Sequence, residues 1–469
     1  MAAVTWGARA VPLLFVLVVW SMTTHGKFSD SGDEPHYLMV AESLFSDHDF
    51  DVSNNYANGD GRWFGADFLE AGPHARVTRT GSTWSTHDVG LPVLVLPIYA
   101  VATRLAAHVP EPLLARVRQT RGLFAYSLVS FTFILMTAFA LSLFTRALMR
   151  KTSERRAAVI ALAVGLTPPL LSHAFLVFPE TPAFFVVCAM LWLASRDERE
   201  LTAGRVFWIT AAIGMLPWLH RKYSFFVFGL AFVLAWSQWT WFRRQRPAAL
   251  LTFAALLVLP QAALHGSTFY LWGNLGGPQM LDRLPFSAGS FQRGILGLLL
   301  DRERGLLAHG PLYLLLPACW WLGWRGHGRL LVPVSLLFFP MAGFAVWGAG
   351  FSPAARYLVP LVPLLAVPAA AALEQRPFRR AVVLGTVFQA VVTAILWQSP
   401  RLLWPEEAGR NAALERVPFI GKAYEWFLPS MLTGDSIVRG WLSASVIMLA
   451  TLVLVMVSRR ATNPSTRAS

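Results

Sequence analysis

Thirteen apolar runs punctuate this chain, at 10–22, 89–108, 122–145, 157–178, 182–195, 206–219, 224–242, 248–265, 309–324, 330–350, 357–373, 381–398 and 438–458. Many approach the roughly 20 residues that an α-helix needs to cross the hydrocarbon core of a bilayer. They do not show the alternation over about 10 residues that marks a membrane β-barrel strand. Composition agrees with the pattern. Of 469 residues, 55% are hydrophobic and 14% are charged, and the mean hydropathy is +0.49, whereas soluble domains carry about 25% charged residues. The expected fold is all-α and polytopic, with about 12–13 transmembrane helices. A soluble enzyme and a disordered protein are excluded.

Charge orients these helices. The net charge is +14, a value that in a soluble protein would point to nucleic acid; here it reflects Arg-rich links between apolar runs, so no nucleic-acid partner is expected. The links 146–156, 196–205, 243–246, 325–329 and 376–380 and the tail 459–467 hold Lys/Arg clusters, and the positive-inside rule puts all of them in the cytoplasm. That requires an even number of crossings between each pair. With the N-terminus also cytoplasmic, 89–108 and 122–145 cannot both cross. The 89–108 run contains Pro92 and Pro97 and ends in Arg104 and His108, so it is expected to lie shallowly in the outer face. The 10–22 run is read as a retained first helix. The whole chain, 1–469, is then one transmembrane unit with a first exoplasmic loop at 27–88 and a short basic cytoplasmic tail at 459–469. The stretch from Asp30 to Asp88 holds 11 of the 26 acidic residues, and a long loop of that kind in a compact protein is usually functional. Cys188 and Cys319 both sit in apolar runs and offer no disulfide framework.

The residues able to do chemistry fall on the exoplasmic side of this scheme. Asp33-Glu34-Pro35-His36 opens a helix whose apolar positions Tyr37, Ala41, Leu44 and Phe45 form one stripe, so that helix is expected to lie flat on the membrane with its acidic end at the lipid boundary. Asp33 is also a natural N-cap, and Glu34 suits the helix dipole. Glu180, between Pro179 and Pro182, is the acid of an otherwise nearly uncharged stretch; an ionisable group there costs several kcal/mol unless it meets water or a partner. His220-Arg221-Lys222 is a compact pair of external cations beside an imidazole, and Arg356-Tyr357 supplies another cation. Both fit a phosphate, by fork or point charge, or headgroup snorkelling. His87-Asp88 serves equally as a cap or as part of a site. Asp301-Arg302-Glu303-Arg304 reads as a solvated face. The eleven histidines show no HExxH or comparable spacing, so a divalent metal is possible but no ligand set can be read from the sequence.

Taken together, the residues resemble the glycosyltransferase C (GT-C) superfamily, which includes the protein O-mannosyltransferases and the lipid A aminoarabinose transferases. The resemblance rests on Gly32 to Leu38, His87 to Pro92, Phe178 to Ala183, Leu216 to Tyr223 and Gly350 to Pro360, in order. It implies a GT-C-like fold in a bacterial inner membrane, and a polyprenyl-phosphate-linked sugar as donor. The acceptor would be a hydroxyl of an envelope lipid, glycan or protein. Asp33 would be the catalytic carboxylate, with Glu34 and Glu180 as neighbouring acids. His36, His87, Asp88, His220, Arg221, Lys222, Arg356 and Tyr357 would line the substrate site. One in-line displacement inverts the anomeric centre, unlike two-step retaining chemistry. A polysaccharide polymerase or ligase, or a lipid-linked glycan flippase, remains the alternative; a transporter would need charges along a midplane path, and the charges here gather at one face.

Overall fold

A computed structural model describes residues 6–24, 32–66, 69–278, 288–405 and 409–462. Lys27, Asp30, Ser31 and positions 463–469 of the basic tail lie outside the described residues. The described chain is helical apart from one small hairpin, Ala75–Val77 paired antiparallel with Thr83–Ser85 in the register Ala75↔Ser85.

Helix Arg121–Met149 is the axis of the fold. Thr120 caps it by accepting from the Leu123 N–H at 3.1 Å, which satisfies one of the N-terminal donors a helix leaves open. Its 29 residues span about 44 Å at ~1.5 Å each, more than a hydrocarbon core of ~30 Å. Helices Trp6–Thr24, Gly90–Ala107, Glu154–Gly165 and Glu180–Ala194 pack around it, burying two thirds of its apolar window. Ala203–Leu219 packs on Pro247–Trp272, Phe226–Ser237 on Leu331–Ala342, and Arg376–Gln398 on Ile437–Thr462. The outer helices turn Leu251, Leu259, Val383, Leu384, Leu442 and Leu449 outward. A continuous apolar exterior of this kind is a lipid-facing surface.

Five described helices are long and apolar enough to cross a membrane, and seven shorter apolar helices of 10–17 residues accompany them. The 157–178 run is not one helix: Glu154–Gly165 stops before Thr167-Pro168-Pro169, and only Leu170–His173 is helical beyond it, because proline removes an N–H and crowds the preceding turn. The 89–108 run, by contrast, is one helix despite Pro97. It is one of the five helices long and apolar enough to cross a membrane and packs chiefly along Arg121–Met149, while Tyr99, which donates to Glu42 and packs on Phe64, and Arg104, over the Phe45 ring, also tie it to the acidic loop.

The acidic loop folds back onto the helices. Glu34 to Ala41 are buried on every side, so this short helix is wedged into protein and does not present one face to lipid, contrary to the flat, striped arrangement its spacing predicts. Its anchor is Glu34, which accepts from the Tyr126 hydroxyl at 3.1 Å and the Val177 N–H at 2.6 Å. A buried carboxylate is tolerated when hydrogen bonds replace its water.

Candidate active site

Asp33 does not cap its helix. Its side chain makes no capping hydrogen bond and instead accepts from Arg356 Nη1 at 2.6 Å. Gly32 makes this approach possible. It sits at φ +58°, and a Cβ there would lie 2.3 Å from the Phe351 carbonyl oxygen, so only glycine lets the Asp33 turn press against the strand of chain leading to Arg356.

Arg356 is held from several sides. Its Nε donates to Glu180 Oε1 at 2.8 Å, and its guanidinium lies 3.9 Å over the Phe178 ring. The preceding loop is braced by a turn that the charge pattern presents as solvated but the structure buries. Asp301, Glu303 and Arg304 are almost inaccessible. Asp301 Oδ1 accepts from the N–H groups of Glu303 and Arg304, Arg304 donates to the carbonyls of Gly350 and Ser352, and the Ala355 N–H bonds back to the Arg304 carbonyl.

Glu180, fully buried at the start of its helix, also accepts from Lys222 Nζ. Lys222 is boxed by the rings of Tyr223 and Tyr357, at 5.1 and 4.9 Å. Asp33, Glu180, Lys222 and Arg356 therefore form one charge-balanced cluster. The other Glu180 oxygen, Oε2, and the hydroxyls of Tyr37 and Tyr223 are buried with no hydrogen-bond partner among the described residues; such groups cost about 1–3 kcal/mol each unless something polar meets them.

Arg221 is directed elsewhere. It donates to Asp88 through Nε at 3.0 Å, Nη2 at 2.5 Å and its backbone N–H (to Oδ2) at 2.8 Å, and donates through Nη1 to the Gly276 carbonyl at 2.6 Å. His220 Nδ1 accepts from the Lys222 N–H at 3.2 Å and lies 4.0 Å from Asp88. These two side chains and Asp88 lock the 220–223 turn to the start of helix Gly90–Ala107.

On its open side Asp33 faces three imidazoles. His87 Nε2 is 4.0 Å from Asp33 Oδ1 and 2.9 Å from His74 Nδ1; His36 stacks on His74 at 3.7 Å and pairs with the Tyr56 hydroxyl at 2.6 Å. Burial lowers His36 to about 3, helped by its imidazole neighbours, and lowers His87 to about 4 against the pull of Asp33, so both are neutral at neutral pH. Burial alone would raise the Asp33 carboxyl, yet the charge of Arg356 holds it far below the ordinary carboxylate range, joined by His87 only in acid, where that ring is protonated.

One oxygen of Asp33 and one nitrogen each of His74 and His87 lie within 4.8 Å of one another. Tetrahedral zinc, with ligands at ~2.0–2.1 Å, holds them about 3.3 Å apart, and two imidazoles with a carboxylate suit such a cation; the donor set fits. His74 and Tyr56 escaped the sequence reading because their partners lie 13 or more residues away. The readable signal is the hairpin: His74 and His87 flank its two open ends, which places the two rings side by side.

No protein-family model matches this chain, and no curated protein matches it by sequence. Solved structures do resemble it. ArnT from Cupriavidus metallidurans, solved bound to undecaprenyl phosphate, superposes with a TM-score of 0.51 at 14% identity, over 98% of this chain and 79% of ArnT. AglB, the oligosaccharyltransferase of Archaeoglobus fulgidus in complex with an inhibitory peptide and a dolichol-phosphate, gives 0.43 at 12% identity, over 92% of this chain and 60% of AglB. At that score the second match adds nothing to the first. The all-α architecture of this chain is therefore the fold seen in ArnT.

Proposed function

We propose that this protein is a membrane glycosyltransferase that moves a sugar from a polyprenyl-phosphate donor to an acceptor hydroxyl at the exoplasmic face, with inversion. The observation that carries this reading is an ionised carboxylate, Asp33, at the open edge of a buried cluster of two carboxylates and two cations, on a fold shared with a protein that binds undecaprenyl phosphate. Orientation rests on the charge bias of the links: both termini and the basic links face the cytoplasm of a bacterial inner membrane, and helix Gly90–Ala107 stays at the outer face with the loop it follows.

The pairing of the cations shapes the mechanism. Arg356 and Lys222 are committed to carboxylates, so an arriving donor phosphate must compete with Asp33 and Glu180 for them. Glu180 is fully enclosed and Asp33 is not; its side chain is 24% exposed. The phosphate therefore takes the Asp33 side of Arg356. Released from the guanidinium, Asp33 Oδ2 becomes more basic at the moment the donor is in place. The acceptor oxygen attacks the anomeric carbon as the bond from that carbon to the phosphate oxygen breaks. The hydroxyl proton passes to Asp33, and the polyprenyl phosphate leaves with its charge met by Arg356 and Lys222. Glu180 is the fixed counter-charge that keeps both cations in place, and Glu34 is the anchor that sets the helix. A divalent cation held by Asp33, His74 and His87 would supply Lewis acidity toward the phosphate.

The test is transfer itself. Purified protein in liposomes, given polyprenyl-phosphate sugars and envelope extracts, should release free polyprenyl phosphate in step with a glycosylated product. Sugar movement across the bilayer without cleavage of the sugar–phosphate bond would instead make it a transporter.

A further inference from the structure

The helices that carry the Asp33 cluster at one end also converge at the other. Helix Arg121–Met149 starts beside Trp63 and ends before Lys151; Glu180–Ala194 ends at Ser195; Phe226–Ser237 leads away from Lys222; and the segment after Arg356 reaches Val367. With the turn 326–330 these ends surround a cavity of ≈ 50 Å³. The stretch of Arg121–Met149 from Tyr126, which bonds Glu34, to Ala147, which lines the cavity, puts the cavity roughly 30 Å from Asp33.

The charged groups of this cavity carry one sign. Lys151, His327 and Arg329 line it, with no carboxylate among the lining residues, and no ion pair reaches any of the three among the described residues. His327 uses Nδ1 to donate to the Gly323 carbonyl at 2.7 Å, which leaves Nε2 buried without a partner. Burial and the nearby Arg329 lower Lys151, and burial together with Lys151 and Arg329 lowers His327. A general bias of cations toward one face accounts for their side. It does not account for two cations and an imidazole converging on one half-open cavity, Lys151 at its exposed mouth and His327 and Arg329 partly buried, at mutual cost.

We propose that this cavity binds a phosphate group. Lys151 supplies a point charge and Arg329 a planar fork; His327, whose Nδ1 proton is committed to Gly323, donates from Nε2 only when a bound phosphate's charge draws a second proton onto the ring. The volume is several times the ~10–15 Å³ that one water needs, enough for a tetrahedral oxyanion. Leu191, Val233 and Val367 form an apolar wall that suits the glycerol and first methylenes of an anionic phospholipid; a soluble phosphate ester offers the same head chemistry.

Two arms separate these sources. Protein in neutral detergent is titrated with inorganic phosphate against chloride at matched ionic strength, and the thermal unfolding midpoint is followed. In parallel, native mass spectrometry measures retention of phosphatidylglycerol against phosphatidylcholine. Lys151→Gln with Arg329→Gln should weaken phosphate or lipid binding at least about tenfold, while Arg325→Gln, an exposed arginine not among the lining residues, should leave it unchanged. Phosphate bound at the distant Asp33 cluster would survive both. His327→Gln, a milder change, serves if the double variant does not fold, and should weaken binding in the same direction. A response to inorganic phosphate alone identifies a soluble ligand, and selective lipid retention alone identifies a headgroup. Equal behaviour of wild type and cavity variants in both arms overturns the proposal.

Discussion

Replacing Arg356 by Gln tests the charge cluster most severely. Arg356 is 4% exposed and bonds Glu180 at 2.8 Å and Asp33 at 2.6 Å. Gln keeps most of the side-chain length and one amide donor, but it removes the charge that balances a fully buried carboxylate. Breaking a buried ion pair from one side costs about 3–5 kcal/mol; the retained donor places the expectation near the lower end, about 3. The sharper reading is a cycle with Glu180→Gln. Removing both charges leaves Asp33 and Lys222 as a neutral pair, so the double variant should be more stable than the sum of the singles predicts, by about 1–3 kcal/mol. The assay is unfolding in mixed micelles titrated with sodium dodecyl sulfate, followed by circular dichroism. Additivity within about 0.5 kcal/mol, or a cost of Arg356→Gln below about 1, would show that the two groups are not energetically joined.

Gly32→Ala would drive a Cβ into the Phe351 carbonyl at 2.3 Å on a backbone at φ +58°; expression should persist while transfer falls at least tenfold, measured in the same liposomes, and normal transfer would disconnect the loop contact from the site. His36 and His87, held neutral down to about 3 and about 4, take up protons in the unfolded chain already below about 6.5. The unfolded state thus binds more protons in that window, and stability should decline as pH falls from about 6.5 toward 4 and be flat above it on this account; pH-resolved unfolding with His36→Gln and His87→Gln should flatten the slope, and an unaltered slope would locate the titrating groups elsewhere. Zinc supplied at stoichiometry should remain with wild type after desalting and be lost from His74→Ala and His87→Ala, read by elemental analysis; equal retention by all three would remove Asp33, His74 and His87 as ligands. Cysteine placed at position 244, on a background without Cys188 and Cys319, should resist an impermeant maleimide in cells with a permeabilised outer membrane, while cysteine at position 54 should react; the reverse pattern would invert the topology.

Local pattern carried much of this structure and long-range pairing carried the rest. The apolar runs, and the gathering of Asp33, Glu180, Lys222 and Arg356 at one end of the bundle, follow from helix length and charge bias. Their bonding does not. Arg356 could be read as a cation waiting for phosphate, because nothing near it in sequence shows that two carboxylates 176 and 323 residues away already hold it. The Asp301–Arg304 alternation misleads for the same reason: Arg302, Glu303 and Arg304 are spent on backbone groups near residues 428, 409 and 350–352, and Asp301 on its own turn and Leu432. Helix Glu34–Glu42 has an apolar stripe, but its polar residues Glu34 and His36 find buried partners on the other side, so periodicity underestimates how much of it is covered. The break at Thr167-Pro168-Pro169 was legible in principle from the two prolines, which the hydropathy of the run outweighed.

The central claim is that Asp33 accepts the proton of the incoming hydroxyl, and one substitution addresses it directly. Asp33→Asn keeps the size of the side chain and an oxygen able to accept from Arg356, while removing the basic group. Turnover should be measured in reconstituted membranes as release of polyprenyl phosphate, with donor binding followed separately. The account predicts a fall of about 10²–10⁴-fold in turnover with donor binding retained or tightened, because Asn no longer competes with the phosphate as an anion. Turnover within a few-fold of wild type would contradict it.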